Sequence, residues 1–138
     1  MVPVHVVATS YEGTKCSLLA AKRLAEAIDA QVVLIVPHVT SYSLSPLTET
    51  DDPAILIDEY RAPASEVQVE ATVRLCLCRR SEDVFRTMLH GRSIVVVSGH
   101  WRRWWPTAAQ RTAGLLVTAG HQVVFVEADA RGLEVRLC

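Results

Sequence analysis

The chain predicts an α/β doubly wound fold: a five-stranded parallel sheet in three layers (α/β/α), Rossmann-like in layout. Three observations predict it. The continuous apolar runs VVLIV (32–36) and SIVVVS (93–98) have the composition of strands buried on both faces, as a parallel sheet requires. Segments with helical apolar spacing stand between such runs. The two kinds of element alternate along most of the 138 residues, the pattern of this fold class.

Residues 4–8, apolar and β-branched around His5, predict the first strand. Residues 15–29 set Leu18, Ala21, Leu24, Ala25 and Ile28 on one stripe, with Thr14 as the expected N-cap. The hydroxyls of Thr9, Ser10 and Tyr11 are expected to cap turns and this first helix. Residues 32–36 predict strand two. The stretch TSYSLSPLTETDDP (40–53) is rich in Ser, Thr, Pro and Asp, and is the one connection expected to be flexible. A short helix is expected over 54–61, stopped near Pro63. Residues 69–78 predict strand three. Ser81 is the expected cap of a helix carrying Val84, Phe85, Met88 and Leu89, which Gly91 ends. After strand four (93–98), Pro106 suits the first turn of a helix running to about Thr118, with Gly120 just beyond it. QVVFVE (122–127) predicts strand five, and the tail (128–138) either adds an edge strand or stays loose.

At this length one domain spanning 1–138 is expected, with a core large enough to need no disulfide staples. Half of the residues are apolar and the formal net charge is −1, a balance that argues against a dedicated nucleic-acid binder. No apolar run approaches a membrane span. The start, MVPVHVVATS, has no charged n-region or signal-type cleavage site, so the cytoplasm is the expected compartment. Cys16, Cys76, Cys78 and Cys138 form no zinc-type spacing and read as reduced structural thiols, with Cys76 and Cys78 on one strand face. Charge is uneven: residues 49–70 hold seven acids against one arginine, whereas 71–111 hold eight arginines against two acids.

Sheets of this class bind ligands outside the carboxyl ends of their strands, where strand order reverses. The loops to inspect are therefore residues 9–13 and 98–105. The second opens SGHWRRWWPTAAQRTAG (98–114), with three tryptophans and two arginines inside residues 101–105. Trp101, Trp104 and Trp105 can cover the sheet end or a subunit contact, and Arg102 and Arg103 can stack on them. Trp and Arg are enriched at protein-binding hot spots, so a protein partner at Arg102, Arg103, Trp104 and Trp105 is the specific interaction expected. One loop offers too few phosphate contacts for nucleic acid and too short a segment for a membrane. His38 and His100 are expected near each other at the cleft mouth, but no metal motif joins them to Cys16 or Glu12. Ser98-Gly99-His100 is no nucleophile elbow, so no catalytic residue is assigned.

Two stretches carry a resemblance. VHVVATSYEGTKCSLLAAKRLAEAIDAQVVLIVPHV resembles the first βαβ unit of the universal stress proteins, and SIVVVSGHWRRWWPTAAQRTAGLLVTAGHQVVFVEA resembles their closing strand–loop–helix–strand. The likeness covers the chain except residues 40–65 and the last ten, and rests on layout and apolar spacing. It implies an adenine nucleotide alpha hydrolase-like fold. In nucleotide-binding members an Asp ends strand one, and a G-x2-G-x9-G-S/T loop follows strand four. Laid on this chain, that pattern puts Ser10 at the Asp, Ser98 and Trp101 at the first two glycines, Arg111 at the third and Thr112 at the hydroxyl. Gly99 is one residue out of register, and Pro37 or a neighbour would line the base pocket. Only Thr112 keeps the pattern, so the nucleotide loop is degenerate.

The resemblance implies a binding or regulatory domain in a stress response, without turnover and without the usual ATP-binding loop. It also implies a homodimer paired through the last strand, for which VVFV offers an apolar edge. Two other functions stay open. One is a switch binding ATP, AMP or another anion through Arg111 and Thr112. The other is a nucleic-acid contact through the Arg/Trp loop.

Overall fold

The computed structural model describes residues 3–39, 53–78, 80–89, 91–129 and 132–138. The elements are β1 (Val4–Val7), α1 (Tyr11–Ile28), β2 (Val32–Val39), α2 (Pro53–Glu66) and β3 (Ala71–Cys78). They continue with α3 (Ser81–Met88), β4 (Ile94–Ser98), α4 (Ala108–Thr118), β5 (Gln122–Asp129) and β6 (Gly132–Leu137). The sheet order is β3-β2-β1-β4-β5-β6. The first five strands run parallel, and β6 returns antiparallel along β5, with Phe125 opposite Arg136. The tail therefore supplies a sixth strand, occupying the β5 edge that VVFV offered. The free edge at that end of the sheet is β6.

Strand alternation sorts the core into two layers. Val4, Val6, Leu34, Val36, Val96 and Val126 pack with Leu18, Ala21 and Ala25 of α1 and Ala64 of α2. On the other face Val7, Ile35, Val95, Val97 and Phe125 pack with Val84 and Phe85 of α3 and with Ala113 and Leu116 of α4. Most of these side chains are wholly buried, each contributing about 1.5–3 kcal/mol of transfer free energy. Burial on both faces is why these strands read as unbroken apolar runs rather than alternating ones.

Several boundaries differ from the sequence expectation, each for a local reason. The first helix starts at Tyr11 with Ser10 as its N-cap, Ser10 Oγ accepting from the Gly13 amide at 3.1 Å. Thr14 lies inside the helix, buried, and its Oγ1 accepts from the Thr9 amide at 3.1 Å. Helix α2 runs through Pro63 to Glu66. Pro63 stands in the last turn, where its ring removes one ladder bond while its carbonyl still accepts from the Val67 amide at 3.2 Å. Burial of Leu56 and Ala64 from the same helix holds it in place. Arg80, not Ser81, is the N-cap of α3, with no side-chain cap bond. In α4 the N-cap is Thr107, one residue after Pro106, and Gly120 (φ 95°) takes the left-handed turn beyond its end. The connection at 40–52 lies outside the described residues. Among the described residues no helix is long and apolar enough to cross a membrane.

Candidate functional site

Strand β1 lies between β2 and β4, so the order reverses between β1 and β4. Their carboxyl ends, with the N-termini of α1 and α4, enclose a cleft of about 540 Å³. Its floor is apolar, formed by Val7, Val97, Val126 and Phe85. Its polar rim is hydroxyl-bearing: Thr9, Ser10, Ser98, Thr107 and Thr112. At the reversal point Thr9 Oγ1 and Ser98 Oγ are 2.7 Å apart in one hydrogen bond. Ser98 is 3% exposed whereas Thr9 is exposed, so the pair joins a buried hydroxyl to one at the surface of the cleft.

Two glycines make that geometry possible. A Cβ on Gly13 would stand 2.6 Å from both Thr9 Oγ1 and Ser98 Oγ. A Cβ on Gly99 would stand 2.4 Å from Ala109 Cβ and 3.4 Å from Phe125 Cζ. Gly99 thus lets α4 close down on the end of β4.

The loop from β4 to α4 is fastened to its own helix. Gln110 Oε1 accepts from the amides of Arg102 and Thr107, both at 2.9 Å, and Gln110 Nε2 donates to the Arg102 carbonyl at 3.0 Å. Thr107 Oγ1 accepts from the Gln110 amide at 3.3 Å and donates to the His100 carbonyl at 2.8 Å. Thr107 and Gln110 thereby form a capping box. The Trp101 amide donates to Glu127 Oε2, and the Gly99 amide to the Val126 carbonyl at 3.1 Å. The amides of Gly99, Trp101, Arg102 and Thr107 are therefore all committed within the protein.

Of the residues the sequence proposed for the cleft, Ser10, Pro37, Ser98, Gly99 and Thr112 line it together. Trp101 does not: it stands edge-on to Phe125, centroids 5.2 Å apart, with the Arg136 guanidinium 5.4 Å from its ring centre. Arg111 does not either, because its Nη1 donates to the Pro106 carbonyl at 3.0 Å. Trp104 and Trp105 project from the loop, 78% and 82% exposed, with Arg103 5.4 Å from the Trp104 ring. His100 lines the cleft, whereas His38 is not among its lining residues. No group of three potential metal ligands occurs among the described residues.

In the sequence reading Thr107 and Gln110 have no role, Phe85 belongs only to the apolar stripe of its helix, and Gly13 only to the loop 9–13. For Thr107 and Gln110 a signal was present: Thr107-Ala108-Ala109-Gln110 has the T-x-x-Q form of a capping box. For Gly13 and Phe85 there was none, since close approach and floor position depend on residues distant in sequence.

Electrostatically the cleft has little to offer a polyanion. Glu12 lines it and pairs with Lys15 Nζ at 3.1 Å, and that ammonium is held equally by Glu66 at 3.1 Å. Tyr11 also donates its hydroxyl to Glu66, and these two bonds hold the Glu66 carboxyl below its usual range. Burial pushes the Cys16 thiol up, so it is a neutral, apolar wall of the cleft. The partner of Ser98 Oγ is a hydroxyl, not an imidazole or carboxylate that would serve as its base.

A parallel sheet of order 3-2-1-4-5, with a cleft at the β1/β4 reversal, defines a Rossmann-like α/β fold. More particularly, the fold is that of the universal stress proteins. The universal stress protein from Archaeoglobus fulgidus superposes with a TM-score of 0.60 at 10% identity, covering 91% of this chain and 93% of that one. A universal stress protein family member from Burkholderia pseudomallei gives 0.52 at 17% identity, covering 88% and 93%. A universal stress protein in complex with cAMP gives 0.54 at 13% identity, covering 91% and 96%. No protein-family model matches the chain, and no curated protein matches its sequence.

Proposed function

We propose that the chain is a single universal stress protein-like domain of the cytoplasm that acts in a stress response by binding, without turnover and without a polyphosphate cradle. The observation that carries this reading is the fastened loop. Where a nucleotide loop presents backbone amides to phosphates, this chain turns those of Trp101, Arg102 and Thr107 onto Glu127 and Gln110. Arg111, whose Nη1 donates to the Pro106 carbonyl, is not among the residues lining the cleft and so places no charge in it. Calorimetric titration with MgATP tests this: no saturable heat is expected. Saturable binding that disappears in Arg111→Ala would overturn it in favour of an anion-binding switch built on Arg111 and Thr112. That second reading draws support from the position of Thr112 on the cleft wall and from the cAMP complex of one structural neighbour.

The same reading includes two surfaces. The exposed Trp104 and Trp105 suit a protein contact; single-stranded RNA retained at moderate salt and lost in Trp104→Ala would assign the loop to nucleic acid instead. Edge strand β6 carries Val135 and Leu137, 54% and 86% exposed, and suits antiparallel pairing with a second copy. Light scattering is expected to give a dimer, and Val135→Arg to give a monomer.

A further inference from the structure

We propose that the cleft is selective for an uncharged, nucleoside-sized ligand and discriminates against the same ligand carrying phosphate. This rests on the reading of the cleft as a binding site without a polyphosphate cradle, and adds the class of ligand it takes.

The floor provides an apolar bed for a flat ring: Val7, Val97, Val126 and Phe85, with the neutral Cys16 beside them. At the reversal point the Thr9–Ser98 pair offers a ligand what it needs to exchange hydrogen bonds with a hydroxyl or amine. One of the two hydroxyls donates to the other, which leaves one free O–H and unused lone pairs on both oxygens. Such a pair is both donor and acceptor, and it suits a sugar hydroxyl or ring nitrogen. An ionised phosphate oxygen accepts only, and uses half of it.

The charges point the same way. Glu12 is the one acidic residue of the lining and His100 its one imidazole, and no lysine or arginine lines the cleft. Lys15 is held between Glu12 and Glu66, Arg111 lies against Pro106, and Arg103 lies over Trp104. The N-terminus of α4 adds a partial positive charge of about +0.5. Of its first-turn amides, that of Gln110 is capped by Thr107, and those of Ala108 and Ala109 belong to residues lining the cleft. What remains suits a hydroxyl or carbonyl oxygen and is too little for a chain of three or four negative charges. The cleft size of about 540 Å³ accommodates a ring with a sugar.

The test is a titration series with adenosine, AMP and ATP on the full chain, repeated with Thr9→Val and Ser98→Ala. Thr9 is exposed and Val matches its shape, so that variant keeps the fold even where Ser98→Ala unsettles it. Adenosine is expected to bind at least about tenfold tighter than ATP, and Thr9→Val to weaken adenosine by about fivefold to tenfold, the worth of one hydrogen bond. If none of the three binds, the ligand class is overturned while the reading without a cradle stands. If ATP binds tightest, both fall. If adenosine binds but Thr9→Val changes nothing, the ligand sits elsewhere and the assignment to this cleft is overturned.

Discussion

At the carboxyl end of β1 the chain enters α1 after three residues, whereas after β4 it spends nine before α4 begins. Both helices begin at the same cleft, and both must satisfy the amides of their first turn. In α1 the solution is local: Ser10 caps Gly13, and Glu12 lies in the first turn. In α4 it is longer in range: Gln110 reaches back to Arg102, Thr107 binds His100, and Trp101 is drawn onto Phe125 and Glu127. A long loop at a helix N-terminus is therefore not by itself a phosphate site. What matters is whether its amides are free, and here those of Trp101, Arg102 and Thr107 bond within the protein.

The largest way to break this contrast is to lift the second loop. Gly99→Ala drives a Cβ against Ala109, which is fixed on α4, and is expected to cost about 2 kcal/mol by overpacking. Gly13→Ala meets hydroxyl groups that can turn away, and should cost less. Urea denaturation of the two variants compares them directly; equal losses would mean that the two helix entries are equally rigid.

Next in size, Gln110→Ala removes both halves of the staple and is expected to cost about 1–2 kcal/mol. Gln110→Glu keeps the acceptor for Arg102 and Thr107 and loses only the donation to the Arg102 carbonyl, so it retains most of that stability. Hydrogen exchange at the Arg102 and Thr107 amides should accelerate in the alanine variant and hardly move in the glutamate one. Trp101→Ala forfeits the edge contact with Phe125 and the Arg136 guanidinium, about 1 kcal/mol. Trp104→Ala and Trp105→Ala should stay within about 0.5 kcal/mol of the parent, since neither ring is covered.

A graded effect belongs to the opposite end of the strands. His5 is buried, and its Nδ1 has no hydrogen-bond partner among the described residues. Burial first, then the charge of Arg74, hold its pKa below the ordinary 6.5; the backbone at Ile94 opposes them, and His121 adds the least. The folded protein thus binds a proton less readily than the unfolded chain. Its contribution to stability is complete above pH 6.5 and is lost as the pH falls through the folded value. Denaturation midpoints at pH 7.5 and 5.5 should differ, and His5→Leu should flatten that difference.

Much of the cleft was legible from sequence because its position follows from the order of the elements. Once 4–8 and 93–98 are read as parallel strands, Ser10, Ser98 and Gly99 fall at their carboxyl ends; Thr112, inside α4, came from the spacing of the resemblance. Side-chain direction was less accessible. Trp101 and Arg111 fall at loop positions of the nucleotide pattern, yet neither enters the cleft. Their partners, Phe125, Arg136 and Pro106, are set by packing and by the local course of the loop.

The sequence by itself determined the alternation of strand and helix, the two-sided burial of the central strands and the loops that would meet, because apolar periodicity is a local property of the chain. Only the tertiary structure decided that α2 continues through Pro63, that the tail pairs with β5, and that Gln110 takes the amides of Arg102 and Thr107. Each of those outcomes weighs a local preference against contacts from elsewhere in the chain. That balance is settled only when the sheet and its two helical layers come together.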